Sequence, residues 1–128
     1  MNVPIPKKIE VKASSVHGLG VFAIDRIEPN EVIEVCYAIF FKTNLGEHND
    51  IFLKYRFAYP CGNKPTHFAI PLGYGCIYNH SENNNAFWTC DSSSALYYFV
   101  SNRIIEPGEE ICTSYGGPDY WNSVKTII

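Results

Sequence analysis

At 128 residues the chain has room for one domain with a real core and too little for two ordinary ones. Hydrophobic residues make up 46% of it, which excludes disorder throughout. The net charge of -3, with Lys7-Lys8 as the only basic dipeptide, argues against direct nucleic-acid binding and suits a basic partner better.

Other absences narrow the class further. No apolar run approaches a membrane span, and the polar, lysine-containing start is not a signal sequence. The five cysteines, Cys36, Cys61, Cys76, Cys90 and Cys112, are widely spaced with no C-x-x-C pair, so no metal site is expected. An odd number of them points to small core thiols in a reducing, intracellular setting.

In chain order, residues 8–13 alternate polar and apolar, the period of a half-buried strand. Ser14 to Gly20 then reads as a turn, and Val21-Phe22-Ala23-Ile24 as a second short strand. A Pro29-Asn30 turn leads into Val32 to Phe41, rich in β-branched and aromatic residues and read as a third strand. Residues 50–57 fit one or two helical turns, and 60–65 a loop. His67 to Ile70 is a further strand, ending in the Gly73-Tyr74-Gly75 turn. Residues 78–85, Tyr-Asn-His-Ser-Glu-Asn-Asn-Asn, form a polar knot suited to neither regular strand nor regular helix. Ala95 to Val100 reads as a buried strand, Glu106 to Glu109 as a turn, and Ile111 to Tyr115 as the last strand. Ile27-Glu28-Pro29-Asn30-Glu31 is echoed by Ile105-Glu106-Pro107-Gly108-Glu109. Two similar turns of this kind fit an all-β fold of several short sheets without a long helix.

Taken singly, the chemistry-bearing stretches decide little. Gly18-Leu19-Gly20 allows close backbone approach to a ligand, but Ala23 stands where a dinucleotide fingerprint needs its third glycine. His80 in the knot is either a core or a solvent-facing histidine, or a candidate ligand or base. Acidic groups at Glu28/Glu31/Glu34 and Glu106/Glu109/Glu110 are either solvated turn faces or an attraction for a basic peptide. No nucleophile elbow or P-loop is present.

Their order is much more specific. His17-Gly18-Leu19-Gly20-Val21-Phe22-Ala23 is followed by Tyr78-Asn79-His80-Ser81 with Asn85, then by Glu106-Pro107-Gly108-Glu109-Glu110-Ile111 with Ser114-Tyr115-Gly116. This succession resembles the SET-domain family of S-adenosylmethionine-dependent protein lysine methyltransferases, over roughly Ile9 to Trp121. Lys54-Tyr55-Arg56-Phe57 and Gly73-Tyr74-Gly75 resemble segments of its short stand-alone bacterial and viral members.

The resemblance implies a mainly β, β-clip-like SET fold of several short sheets with a C-terminal pseudoknot, occupying residues 1–128 as one domain. It implies methyl transfer from S-adenosyl-L-methionine to a lysine ε-amine, with a basic protein such as a histone tail as partner. Gly18, Leu19, Gly20, Tyr55, Asn79, His80, Tyr115 and Trp121 would hold the cofactor. Tyr115 would be the catalytic tyrosine, and Tyr55, Tyr74, Tyr115 and Tyr120 would line the lysine channel. Asn85 would brace the knot. Thr113 stands where many members carry an aromatic that limits how many methyls are added. The cysteine-rich flanking segments of many members are missing, so a lid would come from Tyr120 and Trp121 or from a second subunit in a homodimer. The alternative is a catalytically silent SET-like module that binds peptide or cofactor.

Overall fold

The computed structural model describes residues 3–42, 57–59, 67–91 and 93–114. Ten short strands are present: β1 (Ile9–Ala13), β2 (Leu19–Ala23), β3 (Val32–Cys36), β4 (Ala38–Lys42), β5 (Phe57–Tyr59), β6 (His67–Pro71), β7 (Asn79–His80), β8 (Ala86–Asp91), β9 (Leu96–Ser101) and β10 (Glu110–Thr113). They form three small sheets, ordered β1-β2-β10-β7, β3-β9-β8 and β4-β6-β5. No helix occurs among the described residues. The expectation of an all-β fold of several short sheets is met.

Particular elements differ from the sequence reading, each for a local reason. β2 begins at Leu19, so Leu19 and Gly20 belong to a strand and pair with Ala13 and Lys12. The single strand expected over 32–41 breaks at Tyr37 into β3 and β4, which join different sheets. Phe57, placed at the end of a helical turn, instead opens β5 and pairs with Ala69; residues 50–56 lie outside the described residues. Two of the eight residues of the polar knot form a parallel strand, because β10 offers Asn79 and His80 a partner in Cys112 and Thr113. Cys36 and Cys112 are buried free thiols and Cys76 is a half-buried one, but Cys90 on the edge strand β8 is disulfide-bonded. Sequence spacing carries no information on which distant thiols come within bonding reach.

The two echoed segments turn out to be partners. Ile27 and Ile105 form an antiparallel bridge with reciprocal N–H···O bonds of 2.9 Å, and both side chains are fully buried. Each is followed by the same turn, closed by Glu31 N–H on Glu28 O and by Glu109 N–H on Glu106 O. Pro at the second position and a left-handed residue at the third define a type II turn. Asn30 (φ 62) and Gly108 (φ 90) occupy that third position. Arg26 spans the pair, with Nε 3.0 Å from Glu28 and Nη1 3.4 Å from Glu106, while Lys8 meets Glu31 at 2.8 Å. These surface pairs are worth about 0–1 kcal/mol each, so the buried isoleucine bridge is the stronger part of the junction.

The core is aromatic. Tyr78 stacks on Phe99 at 4.3 Å, and Phe57 meets Trp88, Tyr97 and Phe99 edge-on at 4.8, 5.6 and 6.1 Å. One carboxylate lies inside it. The register of β3 against β9 shifts between Val32 and Glu34, so the consecutive residues Ile33 and Glu34 both face inward. Glu34 accepts from the Tyr78 hydroxyl at 2.7 Å and from the Tyr74 backbone N–H at 2.9 Å. A Cβ on Gly73 (φ 71) would come within 2.5 Å of its Oε2, so only glycine lets the 72–77 turn sit this close.

Burial raises the Glu34 carboxyl above its ordinary value of 4.5, against the lowering effect of hydrogen bonds from the Tyr74 N–H, the Tyr78 hydroxyl and the Cys36 thiol. A carboxyl whose folded pKa is raised favours the folded state when protonated. That contribution is complete below about pH 4.5 and is lost as pH rises through the folded value. Urea unfolding of Glu34→Gln and the parent across this range should show the difference in stability moving in favour of Gln as pH rises, then levelling.

Candidate functional site

The three sequence segments that carry the resemblance meet around the Asn79 side chain. Asn79 opens β7, and its Nδ2 lies 2.7 Å from Glu110 Oε2, 3.1 Å from His17 O, 3.1 Å from Leu19 O and 3.2 Å from Ser14 Oγ. One amide thereby touches the turn before β2, the start of β2 and the start of β10. Ser14 closes that turn: its backbone N–H bonds Gly18 O at 2.8 Å, and its hydroxyl accepts from Val16 N–H at 2.9 Å. The same hydroxyl donates to Glu110 Oε1 at 2.7 Å.

β10 is the other half of the site. It pairs antiparallel with β2 on one edge and parallel with β7 on the other. Beyond β7 the chain loops out and returns at Asn85, whose side chain completes the ladder. Asn85 Nδ2 donates to Glu110 O at 2.9 Å, Cys112 N–H donates to Asn85 Oδ1 at 2.9 Å, and Asn85 N–H donates to Cys112 O at 3.2 Å. The bracing role expected for Asn85 is what the geometry shows. At the end of β10 the Trp88 indole N–H bonds Ser114 O at 3.1 Å, which fixes the backbone immediately before Tyr115.

Leu19 and Asn79 are thus brought together beside Gly18, His80 follows Asn79 in β7 opposite Thr113, and Gly20 lies directly beneath the Glu110 carboxylate. Gly18 takes a left-handed φ of 49 and has open space where a Cβ would project; Leu19 is exposed. The Tyr74 N–H is held by Glu34, and its half-buried ring packs on the core. Tyr55, Tyr115, Tyr120 and Trp121 lie outside the described residues.

Of the six acidic residues read from sequence, Glu109 alone is exposed without an ion pair among the described residues. Glu34 is buried, Glu110 is inside the cluster, and Glu28, Glu31 and Glu106 are paired with Arg26 or Lys8. The sequence reading gave Ser14 no site role, and gave Glu110 a place only in the motif and in an acidic group. A signal was present: Glu109 and Glu110 are adjacent at the entry to a strand, where alternate side chains face opposite ways, so only one of them can face solvent.

Burial holds the His80 imidazole below the ordinary histidine range, partly opposed by the Glu82 carboxylate, so the ring is neutral at pH 7. Burial also pushes the Cys76 and Cys112 thiols up to about 11, which leaves no thiolate for nucleophilic work at these positions. Thr113, beside His80 in the parallel ladder, is fully buried, and its hydroxyl has no partner among the described residues. An unsatisfied buried hydroxyl costs about 1–3 kcal/mol. Thr113→Val should therefore raise stability by about 1 kcal/mol in urea unfolding; a loss would mean that the hydroxyl has a partner.

Comparison with known proteins agrees with this geometry. The SET domain family matches residues 18–116. A Schizosaccharomyces pombe histone-lysine N-methyltransferase, H3 lysine-37 specific, is 27% identical over 120 residues, covering 91% of this chain and 79% of its own length. The crystal structure of a Plasmodium falciparum protein designated a histone methyltransferase superposes with a TM-score of 0.75 at 31% identity, covering 88% of this chain and 96% of that one. The methyltransferase domain of human PR domain-containing protein 2, at 20% identity and a TM-score of 0.66 over 90% of this chain and 81% of its own, shares the fold. Family match, sheet arrangement and the meeting of the three segments at Asn79 agree, and the chain belongs to the SET-domain family of protein lysine methyltransferases.

Proposed function

We propose that the protein transfers a methyl group from S-adenosyl-L-methionine to the ε-amine of a lysine in a basic protein, with a histone tail as the first candidate. The observation that carries this reading is the convergence on Asn79 of the Gly18-Leu19 turn and of β10, the strand that leads to Tyr115. Two of the similar proteins are named as histone methyltransferases, which supports the substrate class. Work on chromatin would place the protein in the nucleus or elsewhere inside a cell.

The residues present fit the cofactor. Gly18 has open space where a side chain would project, and Leu19 beside it is exposed, so backbone can be approached there. Asn79 and His80 follow as side-chain and backbone contacts, while Tyr55 and Trp121 are candidates from their sequence positions. S-adenosylmethionine supplies an activated sulfonium methyl, so the chain need provide neither a nucleophile nor a metal. Its task is to align a lysine amine, a positioning effect worth at most about 7–11 kcal/mol. The amine must also be neutral, which an apolar, tyrosine-lined channel favours through desolvation. Tyr115 is our candidate for the tyrosine that orients the reacting groups. Tyr55, Tyr74 and Tyr120 are candidates for the channel wall, and a second subunit is one source of a lid. Most acidic side chains in the described residues are paired or internal, so substrate recognition would rest on the channel more than on long-range charge.

Incubation with labelled cofactor and core histones should transfer label to lysine, and Tyr115→Phe should reduce the rate by roughly 10²-fold, the size of a small misplacement of reacting groups. Label transfer unchanged in that variant would remove Tyr115 from the reaction. Cofactor binding without transfer to histones or to any protein of a cell lysate would instead identify a silent binding module.

A further inference from the structure

Four oxygen atoms surround Asn79 Nδ2 within 3.2 Å: Glu110 Oε2, His17 O, Leu19 O and Ser14 Oγ. A carboxamide nitrogen carries two N–H donors, and its oxygen carries none. Turning the amide over would put Oδ1 at 2.7 Å from a carboxylate oxygen and close to two carbonyls, a set of contacts with no hydrogen to bridge them. The orientation is therefore imposed by the surroundings. Glu110 is the shortest and the only ionisable acceptor of the four.

The same carboxylate holds the neighbouring turn. Its Oε1 receives the Ser14 hydroxyl at 2.7 Å, and Ser14 in turn receives Val16 N–H at 2.9 Å, next to His17-Gly18. Its Oε2 lies over Gly20, where an added Cβ would collide with it and stand 2.9 Å from Glu110 Cδ. One residue on β10 thus fixes both the amide of Asn79 and the position of the Gly18–Gly20 backbone.

We infer that Glu110 is a positioning residue of the ligand site: its carboxylate holds Asn79 with Nδ2 inward and leaves Oδ1 as the outward acceptor for an ammonium or N–H group of the ligand. Among the described residues Oδ1 receives no hydrogen bond, whereas Nδ2 is fully engaged. The assignment of the ligand rests on the cofactor reading above; the orientation of Asn79 does not. Glu110 touches no reacting atom in this arrangement. It acts through Asn79 and Ser14.

The test is a double-mutant cycle on the calorimetric Kd for S-adenosylmethionine, using the full chain, Glu110→Gln, Asn79→Asp and the double variant. Glu110→Gln should weaken binding about ten-fold, the scale of one hydrogen bond to a charged group. Asn79→Asp should be worse, because it sets two carboxylates against each other. The double variant should bind at least about ten-fold more tightly than the two separate losses predict. In it the carboxamide introduced on β10 can donate to the carboxylate introduced on β7, which leaves the second oxygen of that carboxylate free. Additive losses, or parental affinity in Glu110→Gln, would overturn the inference. Should Asn79→Asp not fold, Ser14→Ala takes its place in the cycle, with non-additivity again expected.

A ligand-free readout separates the two levels. The Asn79 side-chain NH₂ resonances in a ¹H–¹⁵N spectrum should move strongly in Glu110→Gln. Unmoved resonances would refute the role of Glu110 even where binding is normal. A parent chain that binds no S-adenosylmethionine would refute the cofactor reading, while these resonances would still decide the role of Glu110.

Discussion

The structure depends on giving β10 a partner on both edges. Four residues cannot hold themselves extended inside a protein, and each buried N–H and C=O must find a partner. β2 supplies one edge, extended by Ala23 N–H on Glu109 O and Gly108 N–H on Ala23 O. β7 and Ser81 N–H supply the other as far as Thr113. Among the described residues no third strand lies there, and the Asn85 carboxamide takes that place by bonding both Glu110 O and Cys112 N–H as a backbone would. Removing any one of these three neighbours exposes backbone groups that no other described element can reach.

The same constraint explains why polar side chains are buried here. Glu34, Asn79, Asn85, Ser101 and Thr113 lie inside, and all of their side chains except the Thr113 hydroxyl have a partner among the described residues. Buried polar groups contribute little net stability, but a network that is satisfied in only one arrangement fixes register. Asn85 sets how far β10 slides past the knot. Asn79 sets which face of the β1–β2 turn meets β7. Ser101 accepts the Glu31 N–H and donates to Glu28 O, tying the first of the twin turns to β9. Glu34 does the same for the 72–77 turn from the side of β3. The apolar core, rich in aromatic rings that tolerate several packings, would not specify these registers alone.

Periodicity and turn chemistry located β1, β6 and β9 to within a residue or two, because each alternates or runs apolar between recognisable turns. The twin Pro turns were legible as a repeat, and their mutual bridge explains why the repeat exists. Other features depend on distant partners and left no local trace. The bulge that buries Glu34 depends on β9, the disulfide at Cys90 depends on a remote thiol, and the strand character of Asn79-His80 depends on β10. Ala86 to Asp91 carries Asn-rich sequence before it and Thr, Cys and Asp within it, so β8 reads poorly until β9 is laid beside it. Within the site, the residues that identify the family stood out by order, Glu110 among them, but neither its hold on Asn79 nor the part of Ser14 could be read from that order.

The two glycines of the Gly18-Leu19-Gly20 turn answer to different constraints, and the difference locates the open side of the site. Gly18 is required by its left-handed backbone, and nothing lies within 4 Å of the place a side chain would occupy. Gly20 is required by the protein itself, since the Glu110 carboxylate fills the space above it. A G-x-G turn read from sequence suggests that both glycines admit a ligand. Here only the Gly18-Leu19 side is open, and the Gly20 side is closed from within by the carboxylate that holds Asn79. A ligand reaching this backbone must therefore approach from Gly18 and Leu19, with the Asn79 carboxamide as the polar group held against that turn.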